Sequence, residues 1–120
     1  MAGKPTRLSA VGERRLPTAP AHLGEATRAW WTSIVAEWDL DARHIRLLGL
    51  AGEAFDRAEQ ARVALAEHGI TYTDRFGTPR VRPEVAVERD SRTAFARLLR
   101  DLNLHDDAPT SPLALRPRRR

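Results

Sequence analysis

Between Asp41 and Gly69 the chain holds no proline and repeats apolar side chains every three or four residues, so about 27 residues read as one helix roughly 40 Å long. In a chain of 120 residues such a helix must be the backbone of the fold, with shorter elements laid along it. Its apolar positions make two adjacent stripes, Leu48, Ala51, Phe55, Ala58 and Leu65 beside Leu47, Leu50, Ala54 and Ala61. Together they are wider than one neighbouring helix requires. One stripe is therefore expected to face another subunit, with Leu47, Leu50, Ala54 and Ala61 at the interface. Gly49 and Gly52 lower helix stability by up to ~1 kcal/mol each relative to alanine, which predicts either close approach of another segment or a kink.

The remaining elements follow from local chemistry. A helix over about Gly24 to Trp38 is marked by Ala26, Trp30, Trp31, Ile34, Val35 and Trp38, and these tryptophans suit core packing better than base stacking. Asp41 is placed to cap the long helix and Gly69 to close it. Ile70 to Thr73, the turn residues Asp74 to Pro79, and Arg80 to Arg82 read as a β-hairpin. Phe76 stands at its tip, either inserting into a neighbour or partner or folding back. Pro83 and Glu84 open a third helix that ends near Asn103, with Val87, Ala94, Phe95, Leu98, Leu99 and Leu102 as its apolar face. The fold class is thus mainly α: about three helices and one short hairpin at about 70–82, within a body spanning 21–108. Glu53 with Arg57 and Glu88 with Arg92 have the spacing of solvated helix pairs.

Charge divides the chain. Residues 1–20 carry Lys4, Arg7, Arg14 and Arg15 against Glu13, residues 109–120 carry Arg116, Arg118, Arg119 and Arg120 with no acid, and the middle is net −3. With Pro5, Pro17 and Pro20 and few large apolar residues, 1–20 reads as a flexible basic arm, and 109–120 as a basic tail. Two basic extensions on a mildly acidic body suggest a polyanion gripped by arms, the rival reading being tails that only aid solubility. The absence of cysteine excludes disulfides and thiolate chemistry. The only lysine, Lys4, precedes Pro5, so there is no phosphate-binding GxxxxGK[ST] loop, and no HExxH, GxSxG or glycine-rich nucleotide motif occurs. Neither catalytic residues nor a cofactor or metal is expected. No stretch approaches ~18 apolar residues and no signal-type core is present, so neither membrane insertion nor export is expected.

The order of elements resembles the small terminase subunits of tailed double-stranded DNA bacteriophages, in the branch associated with cohesive-end packaging. Over roughly residues 17–115 the carriers are the Pro17-Thr18-Ala19-Pro20-Ala21-His22-Leu23 lead into a Trp-bearing helix, Leu40-Asp41-Ala42 opening the long helix, and Gly69-Ile70-Thr71-Tyr72. Phe76-Gly77-Thr78-Pro79-Arg80-Val81-Arg82-Pro83 and Leu102-Asn103-Leu104 complete the set. Gly24 departs from the pattern by replacing a hydroxyl or acidic cap, and the segment after Leu104 is unusually acidic. The resemblance implies a non-enzymatic subunit that forms a ring in the host cytoplasm and is not part of the mature virion. It would bind viral DNA at the packaging initiation site and recruit or regulate the ATPase/nuclease large subunit.

On that reading Lys4, Arg7, Arg14 and Arg15 contact DNA backbone, while Arg43 and Arg46 either join them or are plain surface residues. Leu113, Leu115, Arg116, Arg118, Arg119 and Arg120 would meet the large subunit or DNA. Two other classes fit the same residues less closely: a small helical adaptor without DNA binding, and a dimeric helix-turn-helix phage transcription regulator. For a regulator, the long alanine-rich helix is a poor recognition helix.

Overall fold

The computed structural model describes residues 5–7 and 15–104, and its elements in chain order are β1 (Thr6–Arg7), α1 (Glu25–Glu37), β2 (Trp38–Asp39), α2 (Ala42–His68), β3 (Thr71–Thr73), β4 (Pro79–Val81) and α3 (Pro83–Leu102). The protein is mainly helical, with a short antiparallel hairpin between α2 and α3. β3 pairs with β4 in the register Thr71↔Val81, Tyr72↔Arg80 and Thr73↔Pro79, and Arg82 N donates to Ile70 O (2.8 Å) below it.

Each helix boundary has a local cause. Asp41 Oδ1 accepts from His44 N (2.9 Å) while Asp41 N donates to His44 Nδ1 (3.2 Å), a reciprocal cap that explains a histidine only 3% exposed. Gly69 ends α2 at φ 82° and ψ 178°, a positive-φ extended conformation open to glycine, and its N–H reaches Leu65 O (2.8 Å). Pro83 opens α3, and Asn103 closes it in the left-handed region at φ 53°. α1 lacks a capping side chain of its own because Gly24 stands at that position. A carboxylate from α2 takes the role: Asp56 Oδ2 accepts from Gly24 N (2.7 Å) and Asp56 Oδ1 from Thr27 Oγ1 (2.5 Å).

α2 and α3 lie antiparallel. Leu48 and Leu102 share one core cluster and the Phe55 ring meets Phe95 at 5.4 Å, so ascending positions on α2 meet descending positions on α3. The covered residues recur at steps of three and four on both helices, Leu47, Ala51, Ala54, Ala58, Ala61 and Leu65 on α2 and Glu84, Glu88, Ser91, Phe95, Leu98 and Leu102 on α3. α1 crosses the other flank near the start of α2, where Leu23, Trp31, Val35, Leu48 and Leu102 form the buried core. Most positions of both stripes of α2 are thus covered within one chain, Phe55 (41% exposed) being the exception in the first. This corrects the expected oligomer interface: Ala54 (6% exposed) and Ala61 (3%) are covered by the chain's own packing, and Leu47 is half-buried against the core. Leu50, at 51% exposed, stays on the surface. Glu53 also differs from expectation, since its Oε2 pairs with His22 Nε2 (2.8 Å) rather than with Arg57, whereas Glu88 and Arg92 form the expected pair at 3.0 Å.

The two helical glycines have different surroundings. A Cβ on Gly52 would lie 3.0 Å from Leu23 Cδ1 and 3.2 Å from Thr27 Cγ2, whereas nothing lies within 4 Å of one on Gly49. Close approach therefore explains Gly52 alone, and α2 runs unbroken through both. Gly49→Ala is expected to stabilise the fold by about 0.5–1 kcal/mol and Gly52→Val to destabilise it by about 1–3 kcal/mol. Urea melts measure both, and equal shifts in the two variants would contradict this packing.

Candidate nucleic-acid and assembly interfaces

Two regions at opposite ends of α2 carry the side chains of interest. At the first, β1 pairs antiparallel with β2, Thr6↔Asp39 and Arg7↔Trp38, so a piece of the segment expected to be a flexible arm lies against the junction of α1 and α2. Pro5 is buried there. Arg15 and Pro17 line a cleft of about 160 Å³ with Val35, Trp38, Asp39 and Ile45. Arg43 and Arg46, exposed on the opening turns of α2, belong to the same end of the molecule. Of the expected DNA contacts, Arg15, Arg43 and Arg46 have exposed side chains, and the Arg7 backbone pairs with Trp38 at the junction of α1 and α2. Lys4 and Arg14 lie outside the described residues, as do Leu113, Leu115, Arg116, Arg118, Arg119 and Arg120.

The tryptophans are core residues. Trp31 is 2% and Trp38 6% exposed, and half-buried Trp30 meets Phe95 at 6.0 Å with the rings inclined by 58°. Phe55 completes this tilted aromatic group, which borders an open apolar groove of about 300 Å³ with Ala26 and Thr27. Sequence periodicity places these residues on helix faces but cannot bring α1, α2 and α3 together, so the groove is invisible before folding.

The second region is the hairpin. Asp74 organises its turn: Oδ1 accepts from Phe76 N and Thr78 N (2.9 Å each) and Oδ2 from Arg80 Nε (2.9 Å). Gly77, at φ 81°, lets the chain reverse, with its N–H on Asp74 O (3.0 Å). This scaffold holds Phe76 outward at 76% exposure, beneath the Arg75 guanidinium 4.9 Å from the ring centroid. Ile70 (62%) and Val81 (64%) are exposed at the base of the hairpin, away from the tip. The turn composition signals a reversal in the sequence, but Asp74 as its hub emerges only from the folded geometry.

Among the described residues no group of three or more His, Asp or Glu side chains could hold a metal ion, and no helix is long and apolar enough to cross a membrane. The chain matches no family model, no curated protein and no solved structure.

The Thr78 N–H, the Arg80 guanidinium and the Phe76 N–H together hold the Asp74 carboxyl below the usual aspartate range. A carboxyl depressed in the folded state contributes order that is complete above its unfolded value, near ~3.9, and is lost as pH falls through the folded value. The amide chemical shifts of Phe76 and Thr78 should therefore hold steady from about pH 7 to 5 and move together below about pH 4. Asp74→Asn should shift them already at neutral pH. Constant shifts down to about pH 2 would show that the carboxylate does not order the turn.

Proposed function

We propose that this chain is the small subunit of a phage DNA-packaging terminase, which assembles with copies of itself, binds viral DNA at the packaging initiation site, and recruits or regulates the ATPase/nuclease large subunit. The observation that carries the reading is that β1, within the basic N-terminal segment, pairs at the α1–α2 junction, the end of the helical body that also bears exposed Arg15, Arg43 and Arg46. The element order of a Trp-bearing helix, a long helix, a hairpin and a third helix supports it, because the resemblance rests on that order.

Mechanistically, guanidinium groups on an N-terminal arm neutralise phosphates and release counterions, which positions DNA without specifying sequence. One arm supplies few contacts. Several arms in one assembly act on the same duplex, so weak contacts multiply into useful affinity. Sequence preference then comes from DNA bending or from few base contacts. The basic tail, Leu113, Leu115 and Arg116 to Arg120, is assigned to the large subunit.

Replacing Lys4, Arg7, Arg14 and Arg15 together by glutamine is expected to weaken DNA binding and to reduce the salt slope of log K by about 0.9 for each phosphate that the arm no longer neutralises. Fluorescence anisotropy on duplex DNA from 50 to 200 mM salt, as about the useful range, measures this. An unchanged slope would remove the arm from the mechanism. Truncation after Thr110 should abolish stimulation of the large subunit's ATPase while DNA binding persists, and the opposite pattern would assign the tail to DNA.

A further inference from the structure

The hairpin tip and the aromatic groove are complementary surfaces on one chain that the chain itself cannot bring together. From Phe55 to His68 α2 rises by roughly 20 Å, and the hairpin continues beyond that, so a chain's own Phe76 stands far from its own groove. We propose that Phe76 of one copy docks head to tail into the groove between Trp30, Phe55 and Phe95 of a second copy. The proposal rests on the self-assembly part of the terminase reading and supplies the surfaces through which copies meet.

Shape and rigidity favour this occupant. The groove offers about 300 Å³ lined by Ala26, Thr27 and three aromatic rings, whereas an apolar cavity of ~150 Å³ suffices for benzene. An entering phenyl ring would extend the existing inclined contacts between Phe95 and its two neighbours, at 58° and 56°. The tip is ordered before contact by the three hydrogen bonds to Asp74, so docking loses little conformational entropy. Because knob and hole are different patches, each copy offers one of each. The contact is heterologous and propagates from copy to copy, closing into a ring where the rotation between copies permits.

The test pairs two variants at exposed positions, Phe76→Ala to remove the knob and Ala26→Trp to fill the hole, with circular dichroism to verify that both fold. Light scattering should find each variant alone at the monomer mass of 13.5 kDa, with any residual association shifted to roughly thirtyfold higher concentration. Mixed together they should form a two-subunit species and nothing larger, because Ala26→Trp still offers its knob and Phe76→Ala its hole. Phe76→Ala assembling like the wild type would overturn the proposal while leaving a ring reading intact, as would two monomeric variants that fail to pair on mixing. A wild type that is monomeric at all concentrations would overturn both. Normal assembly of Phe76→Ala with weakened DNA binding would make the hairpin a DNA contact and overturn the proposal. Pairing of the variants without any DNA binding by the wild type would support the contact and remove the terminase reading.

Discussion

The line of contact between α2 and α3 is the constraint from which the rest of the architecture follows. Alanines at 51, 54, 58 and 61 on α2 leave room for α3 to approach closely, and the larger residues of that seam, Phe95, Leu98 and Leu102, are concentrated at the end where α1 joins. The opposite end of the α3 seam is Glu84, Glu88 and Ser91. Apolar burial is therefore greatest at the three-helix base and thins toward the hairpin. The helix pair becomes a stalk that presents a rigid tip well away from the core, and it does so with little side-chain bulk between the two helices.

Much of this was legible in the residues. Helix periodicity, the Asp41 cap, Gly69, the Asp74–Pro79 turn and Pro83 are local signals, and each acts over a few residues, so the element order and the mainly helical class follow from sequence alone. What sequence could not assign was partner identity. The two stripes of α2 invited a subunit interface because a periodic pattern records that a face is covered and not what covers it. α3 takes Ala54 and Ala61, and α1 takes the flank at Gly52. The same gap hid Asp56, which lies 29 residues from Thr27 yet caps its helix, and Glu53, which reaches back to His22 instead of along its own helix to Arg57.

The candidate sites divide along the same line. Arg15, Arg43 and Arg46 are recognisable as cations before folding, and the fold adds that the β1–β2 pairing draws the N-terminal segment to their end of the body. Phe76 is recognisable as a hairpin-tip residue, but the groove that suits it is assembled from three helices and has no sequence signature. The proposed DNA contacts and the aromatic knob are thereby separated in space, with Arg15, Arg43 and Arg46 at the α1–α2 junction and preorganised Phe76 at the far end of the stalk. Such a separation allows DNA binding to depend on salt while self-association does not, since counterion release weakens the first as salt rises while apolar burial is not screened.

That separation is the central claim, and the native mass of the wild-type protein measured by light scattering at low and high salt tests it most directly. The account predicts a discrete assembly larger than a tetramer whose mass is the same at both salt concentrations. A monomer or dimer, or an assembly that dissolves as salt rises, would contradict it.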